Sequence, residues 1–202
     1  MRLNPAVADR AEQVLAVLFY LWFCQRFVTA IVAGATDPRV YAVLVVDGIV
    51  LAFMLARRPT SDISLRWQDW AWALTATLAP LLLLPVPPLA PNAGLVLVFA
   101  GMAVSLSAKL ILRRSFGIVA ANRGVKVGGP YRFVRHPMYG GYVVTHLGTL
   151  LLLPHIWNWV LFLLAWTAMA MRIAAEERVL GRDPSYASYM AQVRYRLLPG
   201  IY

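Results

Sequence analysis

Residues 115–142 combine a polar loop with the start of an apolar run, and their types and spacing could support ligand binding. The stretch reads SFGIVAANRGVKVGGPYRFVRHPMYGGY. Pro137 is suited to the first turn of a helix, and the free backbone N–H groups of such a turn bind carboxylates and other anions. The stretch therefore predicts an anion-binding helix start that faces a polar loop.

Three polar or aromatic residues continue from this helix start. Tyr139, Tyr142 and His146 follow one another at spacings of three and four, so they share one helix face. Inside a membrane helix, such a face predicts a cavity, and we expect Tyr142 and His146 to contact a substrate there. The alternative is an interfacial aromatic belt with one core histidine.

A second group of chemically active residues follows the last apolar run. Arg172 and Glu176 are four positions apart and stack on one helix face, whereas Glu177 points about 100° further round. An exposed pair of this kind contributes only about 0.3–0.5 kcal/mol and is common. However, the pair lies where a membrane helix emerges beside the basic loop. This position favours a functional role, in which the acid holds a cation.

The composition is that of a membrane protein. Of the 202 residues, 60% are hydrophobic and 14% are charged, and the mean hydropathy is +0.65, whereas soluble domains carry about 25% charged residues. The net charge of +10 comes from basic residues beside apolar runs, which the positive-inside rule and anionic lipids explain. We therefore expect no nucleic-acid partner. The single cysteine, Cys24, excludes an intramolecular disulfide and a thiolate metal site, and no metal is predicted.

Six apolar segments approach the roughly 20 residues that a spanning helix needs. They cover residues 13–34, 40–56, 70–84, 94–112, 138–153 and 157–171. The sequence thus predicts an all-α polytopic membrane protein with about six transmembrane helices, since continuous apolar runs disfavour a strand barrel. We divide it into a four-span region, 1–112, and a catalytic region, 113–202, which contains the loop, a two-helix membrane hairpin and a C-terminal helix. The basic residues place both termini and the loop in the cytoplasm.

Two charges lie inside the first two apolar segments. Arg26 and Asp47 sit at similar depth in a predicted hairpin, and isolated charges in a membrane are costly. We expect them to pair as a structural clamp, with a functional role as the alternative.

Taken together, the C-terminal motifs resemble a known enzyme family. The stretches GPYRFVRHPMYGGY, RIAAEERVL and YASYMAQVRYRLLPG occur in that order between about residues 115 and 199. This arrangement resembles the membrane methyltransferases related to isoprenylcysteine carboxyl methyltransferase and to phospholipid N-methyltransferases, whose hallmarks are RHPxYxG and a downstream EE pair. No GxGxxG follows a strand pattern, so a Rossmann-type cofactor site is not expected.

The resemblance implies a cytoplasmic pocket for S-adenosylmethionine, with S-adenosylhomocysteine as product. Glu176 would hold the amino group of the cofactor, with Glu177 beside it, and Arg172 would face the substrate near the transferred methyl group, which makes Arg172 and Glu176 the catalytic candidates. The rest of the implied pocket consists of Arg123, Gly124, Val125, Lys126, Tyr131, His136, Pro137, Met138 and Tyr139.

The methyl acceptor is left open at this point. It is expected to be lipophilic, either the carboxyl or thiol of an isoprenylcysteine-like or other lipid-like molecule, or the amine of a phospholipid. The connection RVLGRDPS after the EE pair is shorter than is usual in the family, so the lid of the pocket is expected to differ. A non-enzymatic channel or complex subunit is the competing class.

Overall fold

The computed structural model describes residues 4–34 and 36–200, which form seven α-helices joined by loops and short 3₁₀ turns. The helices are α1 (Pro5–Val32), α2 (Pro38–Leu55), α3 (Trp67–Leu78), α4 (Pro91–Leu112), α5 (Pro137–Leu152), α6 (Ile156–Leu180) and α7 (Pro184–Gln192). No strand is assigned in these two ranges, where an isolated bridge joins Ile63 to Ala121. The all-helical prediction is confirmed for this part of the chain.

Helix starts follow the local sequence. A proline occupies the first turn of α1, α4, α5 and α7, where its missing N–H costs nothing. Asn4 and Asp183 cap α1 and α7 by accepting hydrogen bonds from the backbone N–H groups of Ala6 and Ser185. The first turn of α5 therefore begins at Pro137, as its motif predicted.

Three helical segments are long and apolar enough to cross a membrane: Pro5–Val32, Pro91–Ser115 and Ile156–Leu180. By contrast, α3 has 12 residues and α5 has 16, which correspond to about 18 and 24 Å, less than a hydrocarbon core of about 30 Å. All six apolar segments thus form helices, but six crossings remain a prediction. α6 also continues well beyond the predicted end at residue 171, so Arg172, Glu176 and Glu177 belong to one continuous helix.

α4 and α5 are packed backbone to backbone through glycines. A Cβ atom built on Gly141 would lie 2.7 Å from the Gly101 carbonyl oxygen, and one built on Gly148 would lie 2.7 Å from the Gly94 carbonyl oxygen. Small residues allow membrane helices to approach this closely. The contact fixes α5, and with it the helix start at Pro137, against α4.

Four buried charges connect the start of α1 to two loops; we call them the buried charge cluster. Asp9 and Glu12 of α1 bind Arg57, which follows α2, and Arg123 of the loop between α4 and α5. None of the four is more than 6% exposed. Glu12 also accepts a 2.7 Å hydrogen bond from the backbone N–H of Ile118. The cluster therefore anchors the polar loop to the helical scaffold.

The predicted ion pair between Arg26 and Asp47 does not form within the described residues. The Arg26 side chain is exposed, and its guanidinium carbon lies 5.2 Å from the ring centroid of Trp22 on the preceding turn. Asp47 interacts electrostatically with Lys109 of α4 instead. Similar depth in a hairpin was not enough to predict an ion pair, because the two side chains leave their helices in different directions.

Candidate active site

A cavity of about 740 Å³, which we call the loop cavity, lies between the α4–α5 loop, the start of α5, the end of α6 and α7. Nine of the eleven predicted cofactor residues line it: Arg123, Gly124, Val125, Lys126, Tyr131, His136, Met138, Tyr139 and Glu176. The structure thus brings most of the predicted pocket together around one space.

Pro137 and Glu177 are the two predicted cofactor residues outside the lining of the loop cavity. The Glu177 carboxylate is bound by three groups: the Arg135 Nε atom at 2.8 Å, the His136 Nε2 atom at 3.2 Å, and the Arg196 Nε and Nη2 atoms at 2.9 and 2.7 Å. Glu177 therefore ties the loop before α5 and the segment after α7 to α6. This position differs from the predicted one because Glu177 leaves α6 on another face than Glu176.

Glu176 lies in the loop cavity with its carboxylate only partly occupied. It accepts a hydrogen bond from the Tyr139 hydroxyl, and its Oε2 atom is 3.7 Å from His136 Nδ1. Its Oε1 atom is 3.8 Å from Arg172 Nη2. Since about a fifth of the Glu176 side chain is exposed, the carboxylate can accept a further hydrogen bond from a cationic ligand.

A second cavity, of about 880 Å³, extends from the same region between the helices; we call it the membrane cavity. It contains all three residues predicted to bind substrate, Tyr142, His146 and Arg172. Its other walls are mostly aromatic and aliphatic side chains of α1, α3 and α6, together with Asp47. Arg172 is buried, and its Nε atom has no hydrogen-bond partner among the described residues. The polar face of α5 therefore lines a cavity rather than an aromatic belt.

The loop cavity and the membrane cavity meet at shared walls. Phe116 and Met138 line both. Beside them, the Arg172 guanidinium carbon lies 5.3 Å from the ring centroid of Tyr139, whose hydroxyl binds Glu176. The arrangement places one charged residue of α6 in each cavity, Glu176 in the loop cavity and Arg172 in the membrane cavity, one helical turn apart. Ligands in the two cavities would therefore approach each other at this junction.

His146 is held in one orientation within the membrane cavity. The Trp166 Nε1–H group donates a 3.0 Å hydrogen bond to His146 Nδ1, and the His146 ring stacks on Phe162 at a centroid distance of 4.4 Å. A neutral imidazole that accepts at Nδ1 carries its proton on Nε2. In this arrangement His146 is a hydrogen-bond donor toward any ligand.

Two tyrosines of α7 also line the loop cavity, and neither was assigned a role from the sequence. The Tyr189 hydroxyl donates a 2.7 Å hydrogen bond to the carbonyl oxygen of Tyr131. The Tyr186 hydroxyl is buried and lacks a partner among the described residues. Burial, and then the Glu177 and Glu176 carboxylates, raise the pKa of Tyr186, so its hydroxyl stays protonated and can donate to a ligand. In the sequence, the spacing of three between Tyr186 and Tyr189 was the signal that could have indicated a shared helix face.

Arg123 lines the loop cavity but belongs to the buried charge cluster. Its Nη2 atom lies 2.6 Å from Asp9 Oδ1 and 3.4 Å from Glu12 Oε2, and burial lowers its pKa. Its charge is therefore balanced by the scaffold. Lys126 is half-buried on the same loop and also lines the loop cavity. Unlike Arg123, it makes no ion pair among the described residues.

The sequence of this region also matches a known family. The model of the family described as phospholipid methyltransferase, PEMT, matches residues 90–183, a range that begins beside α4 and ends just before α7. No match was found among the curated proteins. Residues 90–183 therefore carry the phospholipid methyltransferase family's sequence pattern, which confirms the resemblance to membrane methyltransferases.

Proposed function

We propose that this protein is an integral membrane methyltransferase that transfers a methyl group from S-adenosylmethionine, bound in the loop cavity, to a lipid acceptor in the membrane cavity. The observation that carries the proposal is the junction of the two cavities at Phe116 and Met138, with Glu176 on one side and Arg172 on the other. The loop cavity lies beside the predicted cytoplasmic loop, where a water-soluble donor is available.

The residues of the loop cavity fit the charges of S-adenosylmethionine. Glu176 offers a partly free carboxylate for the ammonium of the cofactor, and Lys126 offers a cation for its carboxylate. The unpartnered hydroxyl of Tyr186 can donate to an acceptor atom, which would remove the cost of leaving it buried without a partner. When bound, the cofactor supplies an electrophilic methyl group on a positively charged sulfur.

The chain's own contribution to the reaction is mainly alignment. Two reactants held in line can lower the barrier by about 7–11 kcal/mol in favourable cases. At the junction, the Tyr139 hydroxyl binds Glu176 and the Tyr139 ring lies beside Arg172. The position of Tyr139 therefore depends on one residue from each cavity. Arg172 lies in the membrane cavity and orients an anionic group of the acceptor.

The family match and Asp47 favour a phospholipid amine as acceptor. An amine must lose a proton before it accepts a methyl group. Glu177 is occupied by Arg135, His136 and Arg196, and His146 already carries a proton on the nitrogen that is free of Trp166. Asp47 is the carboxylate that lines the membrane cavity, and we assign it the role of binding the ammonium form and receiving its proton.

The carboxyl group of an isoprenylcysteine-like lipid is the second candidate acceptor. It is favoured by the buried Arg172 Nε atom, which has no partner among the described residues and can donate to a carboxylate. A carboxylate needs no base. Purified protein incubated with methyl-labelled S-adenosylmethionine and a total lipid extract separates the two: label that stays with a headgroup after mild base supports the amine, and volatile label released by base supports an ester.

Binding of S-adenosylhomocysteine, measured by calorimetric titration, tests the class of enzyme independently of the acceptor. We expect saturable binding by the folded protein. Folded protein that neither binds this ligand nor labels any lipid would contradict the proposal and favour a non-enzymatic membrane protein.

A further inference from the structure

A third cavity, which we call the lateral groove, lies between α2, α4 and α5 and shares Tyr142 with the membrane cavity. Its volume is about 860 Å³. Along α4 it extends from Lys109 to Val98, a distance of about 16 Å at 1.5 Å per residue. One leaflet of a hydrocarbon core is about 15 Å thick, so the groove has the length of a lipid chain.

The two ends of the lateral groove differ in polarity. Lys109, Ser105 and Tyr142 line the end near the polar loop, whereas Val98, Leu152 and Leu153 line the other end. This is the polarity of a lipid that lies along the membrane normal, with its headgroup toward the loop and its chain toward the bilayer centre.

Lys109 brings a buried ammonium group into the groove without a full set of partners. The residue is only 4% exposed, and its ammonium lies 5.1 Å from the ring centroid of Tyr142. Within the part of the chain that the structure describes, it makes no ion pair and no side-chain hydrogen bond, although Asp47 interacts with it electrostatically. An intramembrane ammonium is costly without a partner, and an anionic ligand would supply one.

We propose that the lateral groove binds the hydrocarbon chain of a phospholipid whose phosphate group is held by Lys109. Asp47 and Tyr142 line both this groove and the membrane cavity, so the headgroup of the bound lipid lies beside the acceptor position. The further statement that this lipid is the methyl acceptor rests on the proposed function, whereas binding in the groove does not.

The test compares two probes with the same chain, oleoyl lysophosphatidic acid and uncharged monoolein, by native mass spectrometry of the full chain in neutral detergent. We expect wild-type protein to bind the phosphate-bearing probe at least about tenfold more tightly, since hydrogen bonds to charged groups are strong. Lys109→Gln should abolish this preference, and Lys109→Arg should retain it. The matched control is Arg113→Gln, which removes an exposed cation four residues further on and should change nothing.

A second variant tests the apolar end of the groove. Thr149→Phe should weaken binding of both probes, because the larger side chain fills the space of the chain. If Lys109→Gln fails to fold, Lys109→Arg and Thr149→Phe still decide the proposal.

Four results would overturn it. The first three are equal affinity of wild-type protein for the two probes, an unchanged preference in Lys109→Gln, and displacement of the lipid by inorganic phosphate. A disulfide between two chains carrying Thr149→Cys would place a second copy in the groove and would also overturn it. Titration with S-adenosylhomocysteine is run in parallel, so a failure of the proposed function is seen separately.

Discussion

Glu12→Gln is the substitution whose effect follows most directly from the buried charge cluster. The cluster contains two carboxylates, Asp9 and Glu12, and two guanidinium groups, Arg57 and Arg123, all nearly inaccessible. Burial, together with Arg123, lowers the pKa of Arg57 to about 10, while Asp9 opposes the shift. Both arginines remain charged at neutral pH, since a guanidinium group is not deprotonated in proteins. Replacing Glu12 by its neutral isostere changes the net charge of the cluster from zero to +1.

The expected loss of stability is about 3 kcal/mol. Breaking a buried ion pair typically costs about 3–5 kcal/mol, and we take the lower end because a glutamine can still accept the hydrogen bond from the Ile118 backbone N–H. For a chain of this size, such a loss corresponds to a fall in melting temperature of about 6–12 °C. Thermal unfolding of the purified protein in detergent measures it. Affinity for S-adenosylhomocysteine should fall as well, because Glu12 and Arg123 anchor the loop that lines the loop cavity.

Two further variants separate charge balance from packing. Arg10→Gln removes an exposed charge two positions before Glu12, and we expect a change of no more than about 0.5 kcal/mol. In the double variant Glu12→Gln/Arg57→Met the pair of Asp9 and Arg123 remains balanced, so much of the stability should return. A loss below about 1 kcal/mol for Glu12→Gln, or no recovery in the double variant, would refute the reasoning.

Three predictions concern the site itself. Glu176→Gln should weaken S-adenosylhomocysteine binding at least about tenfold in calorimetry, because a charged hydrogen-bond acceptor for the ammonium is lost; unchanged affinity would remove Glu176 from the cofactor site. Arg172→Met should lower turnover of labelled lipid while leaving cofactor affinity within about threefold, and normal turnover would remove Arg172 from the acceptor site. Tyr186→Phe deletes a buried hydroxyl that has no partner in the described structure, so it should leave the melting temperature unchanged or higher and weaken cofactor binding a few-fold; a loss of stability with full binding would contradict that role.

Some of the site was readable because its residues are close in sequence and lie on one helix. The spacing of Arg172 and Glu176 on α6 predicted a shared helix face from helix geometry alone, whereas the place of His136 to Tyr139 in one pocket was implied by the family resemblance. The same geometry separated Glu176 from Glu177 by about 100°. Helix geometry did not predict which of the two carboxylates faces the cavity. That depends on how the His136 loop and the segment after α7 pack against α6.

The pairing of charges that are distant in the chain could not be predicted from the sequence. Asp9 and Arg123 are separated by more than a hundred positions, and α1 looked like an ordinary span preceded by a polar terminus. The expected pairing of Arg26 with Asp47 failed for the related reason that depth along a helix does not set the direction of a side chain. Tyr186 was missed because its importance depends on α7 folding back over the loop cavity.

By itself, the sequence determined that the chain is helical and built for a membrane, since apolar content, proline positions and basic clusters are local properties that act over single segments. It also determined the residues of the RHP and EE motifs, which a family match now covers. Only the tertiary structure decided which polar groups share a cavity, which charges cancel one another, and that Lys109 ends beside an open groove. Those outcomes depend on how distant helices rotate and pack against each other, which no single segment of the sequence sets.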